Sequence, residues 1–303
     1  MILATSFGLH RDAGAGALPA YDPIPSECYR KAKSIALLGS GQTMVDVLLT
    51  ARRNGFAGNA VAISRRGQLP RPHAPRGVIP QTIELPAFKR ISSLSQAVRI
   101  ACEYAQMNGI PWQAVFNGLR PGLQSLWQSL PLEEQSRFLR HVRPFWDVHR
   151  HRLPLEVHER LAAELKAGTL QVRRGRVLIA SQLDDAFAVT SQQRGSAEPE
   201  TAVFDLAFDC RGHRPDLRAP LIASLIKQRL AQADPHALGL VTRPNGELVS
   251  ALSHSKPRLF ALGPLCQGSL WEITAVPEIV AQAHMAAQDL AGLGVGESSA
   301  WVA

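Results

Sequence analysis

Short apolar runs alternate with stretches of helical spacing along the chain, in an order that predicts an α/β fold. Ser34-Ile-Ala-Leu-Leu38 is wholly apolar after its first residue and stops at a glycine, the pattern of a central parallel strand covered on both faces. Met44, Val45, Val47, Leu48 and Leu49 then recur at helical spacing as far as Arg53, and Asn54-Gly55 supplies the stop. Ala60–Ser64 reads as a second strand, which closes a βαβ unit of about 30 residues.

Upstream, Met1–Ser6 reads as a short strand and Phe7–Lys33, rich in Gly, Pro and Ala, as a linker. Downstream, prolines at 70, 72, 75, 80 and 86 keep the backbone extended. Ser93–Lys166 is helical in pattern, with breaks expected at Gly109-Ile110-Pro111, Pro121-Gly122, Leu130-Pro131 and Leu153-Pro154. After Gly168 the period changes to two. Thr169–Arg173, Arg176–Ser181 and Ala186–Thr190 read as hairpin strands turning at Arg174-Gly175 and at Leu183–Asp185. Gln192–Thr201 reads as a polar loop, Val203–Cys210 as a strand, Leu221–Ala231 as a helix, Leu259–Leu262 as a strand and Val276–Leu290 as an amphipathic helix.

With 303 residues, 46% of them hydrophobic and 19% charged, the chain can bury a sizeable core and is expected to form two domains. No apolar run reaches the roughly 18 residues needed to span a bilayer, so no membrane partner and a cytoplasmic location are expected. Cys28, Cys102, Cys210 and Cys266 are far apart and form no CxxC pair, which points to free thiols. The net charge of +8 would suit an anionic partner, either nucleic acid or a phosphorylated cofactor. Nucleic acid is the weaker reading, because the arginines are dispersed and not interleaved with aromatic residues.

The chemistry sits in the turn between the first strand and its helix, Gly39-Ser40-Gly41-Gln42-Thr43-Met44. Gly39 suits the tight turn, Gly41 lets the backbone approach a pyrophosphate, and the helix start offers free N–H groups to phosphate. Gln42 and Thr43 can add side-chain hydrogen bonds. Met44 replaces the third glycine and should push helix and strand slightly apart. Where a unit selective for NAD presents an acidic residue, this strand ends in Ser64-Arg65-Arg66-Gly67. Two guanidinium groups suit a 2′-phosphate, so NADP(H) is the expected cofactor. The competing reading is a plain tight turn followed by a solvated arginine pair.

With these residues in view, the chain resembles the FAD/NAD(P)-binding oxidoreductases of the two-dinucleotide-domain flavoprotein type, related in plan to flavin monooxygenases. The resemblance is carried by Gly39–Asp46, by Ser64–His73, by Phe145-Trp-Asp-Val-His-Arg-His-Arg152, and by Leu262-Gly-Pro264 with Trp271–Glu278. It implies a Rossmann-type parallel sheet with a helical insertion and a partial second, FAD-type domain. The implied division is 1–33 for a remnant of the FAD domain and a linker, 34–195 for the NAD(P) domain, and 196–303 for the returning FAD segment. Gly263, Trp271, Glu272, Ile273 and Thr274 would then lie on the flavin side. Ala4-Thr5-Ser6 stands where such families often show Ala-Thr-Gly, and Pro264 where many show an aspartate. By the same resemblance the first glycine fingerprint would fall before residue 1. The chain would then be a fragment, the product of a late start, or a subunit whose FAD site a second chain completes.

For Trp271 and Glu272 a core tryptophan and a helix-start glutamate compete with the flavin role. His141, His149, His151 and His158 share one segment, but no cysteine or paired carboxylate completes a metal site and Arg150 and Arg152 would repel a cation. No metal is expected, and no hydrolase motif is present. The expected function is therefore an FAD/NAD(P)-binding oxidoreductase in which NADPH reduces a flavin, a monooxygenase among the options, acting on a small-molecule substrate. The alternatives are a non-catalytic NADP(H)-binding subunit or sensor, and a charge-driven anion or nucleic-acid binding module.

Overall fold

The computed structural model describes residues 1–6, 16–83, 90–212, 215–251 and 258–292. Strands β1 (Ile2–Leu3) and β2 (Leu18–Pro19) lead into helix α1 (Ser26–Lys31), strand β3 (Ser34–Leu38), helix α2 (Gln42–Arg53) and strand β4 (Asn59–Ser64). Helices α3 (Ile91–Met107), α4 (Trp112–Leu119), α5 (Leu123–Ser129), α6 (Leu132–Arg137), α7 (Arg143–Arg150) and α8 (Leu155–Ala167) follow. Strands β5 (Leu170–Gln182), β6 (Phe187–Gln193), β7 (Glu200–Phe204) and β8 (Leu206–Asp209) precede helix α9 (Pro220–Lys227), strand β9 (Phe260–Ala261) and helix α10 (Val276–Leu290).

Seven strands form one mixed sheet in the order β2-β8-β3-β4-β5-β6-β7. Neighbours from β2 to β5 pair in parallel, and β5-β6 and β6-β7 pair antiparallel. The apolar run of β3 is buried at Ile35, Ala36, Leu37 and Leu38 because parallel neighbours flank it on both edges, as its unbroken pattern requires. Helix α2 buries Met44, Val45, Val47, Leu48 and Ala51 against the sheet and leaves Gln42, Asp46 and Arg53 outside.

Several sequence expectations are corrected. Arg174-Gly175 is not a turn: β5 runs straight through it, pairing with β4 up to Arg174 and with β6 from Gly175 onward. A Cβ on Gly175 would lie 2.9 Å from the Gln192 carbonyl oxygen, so this glycine serves close strand approach. The single strand expected over Val203–Cys210 is two, split at Asp205, whose carboxylate accepts the N–H groups of Lys33 and Ser34, both at 2.8 Å. The polar loop expected over Gln192–Thr201 shrinks, since β6 reaches Gln193 and β7 starts at Glu200. The stretch 7–33, read as a linker, contains β2 and α1, with the buried Tyr29 ring stacked on Phe208 at 6.1 Å. Its residues 7–15 lie outside the described ones, as does the end of the chain from 293. Strands β7 and β8 belong to the same sheet as β3 although they follow residue 195.

Helices α3 to α7 form a layer inserted between β4 and α8, and its breaks fall at the proline and glycine positions that the sequence marks. One feature of the layer has no sequence signal: between α6 and α7 the chain makes a π turn over Phe138–Val142. A second apolar cluster gathers Leu3, Ile222, Leu240, Leu265 and Leu270 around the parallel pair β1-β9 and helix α9. No helix among the described residues is long and apolar enough to cross a membrane.

Candidate dinucleotide site

The turn 39–43 lies at the carboxyl ends of β3 and β8, where the chain leaves β3 for β4 on one side and returns as β8 on the other. In open α/β sheets this crevice is where ligands bind. Gly39 has φ +130°, and a Cβ there would come within 2.5 Å of the Cys210 carbonyl oxygen. Gly41 differs: its φ of −85° suits any residue, and a Cβ there would meet nothing within 4 Å. Gly41 is the N-cap of α2, no side chain caps this end, and no acidic residue occupies the first turn. The first amides of α2 therefore face open space with the positive end of the helix dipole behind them.

Ser40 is buried, its Oγ donating to the Gln68 carbonyl at 2.6 Å and lying 2.7 Å from Ser64 Oγ. Ser64 Oγ also accepts the Gly67 N–H at 3.1 Å. These bonds tie the glycine turn to the end of β4 and bring two of the sequence-derived groups, 39–43 and 64–66, to one place. Gln42 Nε2 donates to the Arg152 carbonyl at 2.9 Å, and Thr43 Oγ1 accepts the Tyr21 hydroxyl at 3.3 Å.

Arg65 is exposed and has no acidic partner among the described residues. Arg66 Nη2 donates to the Arg140 carbonyl at 3.2 Å, and its guanidinium lies 5.2 Å from the centre of the Phe145 ring. The sequence reading missed Arg174, which stands beside Ser64 in the β4-β5 register and runs its stem past Gly67. It also gave no role at this turn to Arg152, whose buried guanidinium has no carboxylate partner among the described residues and donates to Asn117 Oδ1 at 2.5 Å. Burial and the nearby Arg150 lower the Arg152 pKa. Burial, with Arg152 adding to it, also lowers that of His73. The positive potential at this edge is thus set by fold contacts that join separate stretches of sequence.

Gly263, Trp271, Glu272, Ile273 and Thr274 form a separate group. Gly263 (φ +75°) donates its N–H to Gln282 Oε1 at 2.9 Å. Trp271 is buried against the helical layer, 4.9 Å from Trp127 and 5.1 Å from Phe138 between ring centres. Glu272 is buried in the left-handed region at φ +70° and accepts the Trp146 indole N–H at 2.7 Å, with Arg150 Nε 3.0 Å from its other oxygen. Ile273 is buried and Thr274 half-buried just ahead of α10. Ser6 also takes a left-handed conformation, φ +54°, a backbone region that favours glycine. Thr5 Oγ1 beside it is buried without a hydrogen-bond partner.

Among the described residues no three His, Cys, Asp or Glu side chains lie close enough to hold a metal. The His149 ring is stacked on Phe116 at 5.4 Å instead. Burial pushes the thiols of Cys102 and Cys266 up to about 11, so both stay protonated at neutral pH.

No protein-family model matches the chain, and no curated protein matches it. Solved structures do. The chain is similar to the L-lysine 6-monooxygenase of Pseudomonas syringae, with a TM-score of 0.60 at 12% identity over 97% of this chain and 64% of that one. It is similar to a cadaverine monooxygenase of desferrioxamine biosynthesis from Erwinia amylovora, with a TM-score of 0.56 at 12% identity over 100% of this chain and 63% of that one. The ornithine N-hydroxylase of Kutzneria sp. 744 gives a TM-score of 0.53 at 14% identity over 95% and 63%. The chain thus spans a little under two thirds of the length of these enzymes. At such identities the likeness concerns architecture alone: the chain shares the fold of these structures over a little under two thirds of their length.

Proposed function

We propose that the chain is an NAD(P)H-dependent flavoprotein oxidoreductase in which NADPH, held at the 39–43 turn, reduces a flavin, with a small molecule as the final substrate. The observation that carries this reading is the contrast between the two glycines. Gly39 is required by its own backbone, whereas Gly41 guards empty space at an uncapped helix start, where a Cβ would intrude on a pyrophosphate. The residues fit the dinucleotide. The amides of Gly41, Gln42 and Thr43 would hold the phosphates, Ser40 and Ser64 would fix the turn, and Arg65, Arg66 and Arg174 would meet a 2′-phosphate.

On the flavin side Thr5, with its buried unpartnered hydroxyl, and Gly263 are the residues that would approach FAD. FAD, when bound, accepts hydride and carries the oxygen chemistry. The protein's own part is to orient the two cofactors and keep water out. We assign Trp271 and Glu272 a supporting place, since their side chains are engaged by Trp127 and by Trp146 and Arg150.

Calorimetric titration tests the reading. NADPH should bind at one site, more tightly than NADH, and Gly41→Ala should remove most of that binding; absence of NADPH binding to the folded protein refutes the proposal. A second reading, an NADP(H)-binding subunit or sensor, draws on the fact that the turn and its arginines all sit on, or directly follow, strands β3, β4 and β5 of the one seven-stranded sheet. An absorbance spectrum from about 300 to 550 nm, taken after incubation with FAD and desalting, separates the two, because a retained flavin band is expected only of the oxidoreductase.

A further inference from the structure

Away from the glycine turn, the helical layer encloses a pocket of about 630 Å³ between α3, α4, α5, the π turn and α7, closed on one side by Trp271. Protein interiors pack with few voids larger than a water molecule, and this volume falls in the range of small-molecule sites. Its wall is aromatic. Trp112, Phe116, Trp146, Phe138, Trp127 and Trp271 follow one another with ring centres 4.9 to 6.5 Å apart, in edge-to-face and stacked pairs. The π turn presents Phe138, His141 and Val142 to the same space, and such departures from the α-helix recur at functional sites.

The polarity of the lining is one-sided. Arg99, His141 and His149 contribute to it, and among the described residues no aspartate or glutamate does. Arg99 has no acidic partner among the described residues. Of the acidic groups in and against the layer, Glu272 is engaged by Trp146 and Arg150 and Asp147 by Arg143 at 3.4 Å, while Glu103, one turn along α3 from Arg99, is exposed and outside the lining. His149 Nδ1 donates to the Phe145 carbonyl at 2.7 Å, which leaves Nε2 as an acceptor on a ring that burial keeps neutral. A cationic amine would find no counter-charge in this wall, whereas an aromatic anion would find rings for its body and a guanidinium for its charge.

We propose that this pocket is a binding site for a planar aromatic molecule bearing one negative charge, its ring seated among Phe116, Trp127 and Trp146 and its anionic group at Arg99. The site goes beyond the dinucleotide reading and does not depend on it.

The test is calorimetric titration of the full chain with 2-naphthoate and with 2-naphthylmethylammonium, which share a ring system and differ in charge. The anion should bind at one saturable site, and the cation about tenfold more weakly or not at all. Arg99 lies on the exposed side of α3, so Arg99→Glu should leave circular dichroism and melting unchanged while weakening the anion about tenfold. Val98→Trp should fill the pocket and abolish binding. Four of the five tryptophans line the pocket, so indole emission should change with naphthoate in the parent chain and not in Val98→Trp. Absence of naphthoate binding, equal affinity for the two ions, or indifference to Arg99→Glu would overturn the proposal. NADPH titration of the same preparation reads the other site, so the two can fail separately.

Discussion

Gly39 backs onto Cys210 so closely that a Cβ at this position would lie 2.5 Å from the Cys210 carbonyl oxygen, and its φ of +130° is one that other residues rarely adopt. Gly41, two residues on, has neither constraint. Two alanine substitutions should therefore behave in opposite ways. Gly39→Ala should destabilise the fold by about 2 kcal/mol or more, because both the clash and the dihedral must be relieved. Gly41→Ala should cost less than about 1 kcal/mol as a poorer N-cap residue, yet weaken NADPH by about tenfold or more. Urea unfolding and NADPH titration of both variants check this pair. A Gly41→Ala variant that binds NADPH as tightly as the parent would show that the turn is not a phosphate cradle.

The arginines at the end of β4 divide in a similar way. Arg65 is exposed without an ion-pair partner among the described residues, whereas Arg66 is already occupied by the Arg140 carbonyl and the Phe145 ring. Arg65→Ala should lower NADPH affinity about tenfold, the worth of one charge-assisted bond to phosphate, and leave NADH nearly unchanged. Arg66→Ala should affect both cofactors through the helical layer as well. The NADPH-to-NADH affinity ratio, measured at one ionic strength because exposed charges are screened by salt, is the quantity to compare.

The strand-turn-helix-strand from Ser34 to Ser64 was legible because its signals are local, and the same holds for the proline breaks of the helical layer and for α10, found at the bounds expected. The two layers of the Arg65 site were not equally legible. Arg174 joins Ser64 only through the β4-β5 register, and no spacing in the sequence reports which strand lies next to which. Arg174-Gly175 reads as a turn because glycine after a polar residue often is one, and here the glycine relieves backbone crowding inside a strand. Trp271 and Glu272 show the same limit. A tryptophan can be assigned to a core by its apolarity, but which layer receives it is decided by Trp127 and Phe138, over a hundred residues away in the chain.

Glu272 joins the 258–292 segment to the helical layer through Trp146 and Arg150, at the cost of a left-handed backbone and a buried carboxylate. Removing one partner of a buried ion pair leaves an uncompensated charge, so Glu272→Ala should destabilise by about 3 kcal/mol. Glu272→Gln keeps an acceptor for the Trp146 indole and should cost less. Thermal unfolding followed by tryptophan emission reads both, since Trp146 and Trp271 sit at the junction. Two variants as stable as the parent would mean that this junction contributes nothing to holding the layer.

Between the helices α2 and α8, Arg52 and Glu164 make the clearest pH-dependent contact. Arg52 Nε donates to Glu164 Oε1 at 2.8 Å and Nη2 to Oε2 at 2.7 Å, joining α2 to α8, and the Thr169 hydroxyl adds a contact at 2.5 Å. The bonds from Arg52 hold the Glu164 carboxyl below its usual value of 4.5, with Thr169 adding to the effect. A carboxylate with a depressed pKa stabilises the fold fully above its unfolded value, and that contribution is lost as pH falls through the folded value. Glu164→Gln should therefore cost about 1 to 2 kcal/mol at pH 7, a range reduced for the partial exposure of both side chains. The gap between parent and variant should hold down to about pH 5 and narrow as the pH drops below the reference carboxylate value. Urea unfolding of the two proteins from pH 7 to pH 3 measures that gap. A difference that stayed constant over this range would mean that the glutamine loses packing or geometry and not charge, and the α2-α8 link would have to be assigned to the neutral contacts around Thr169.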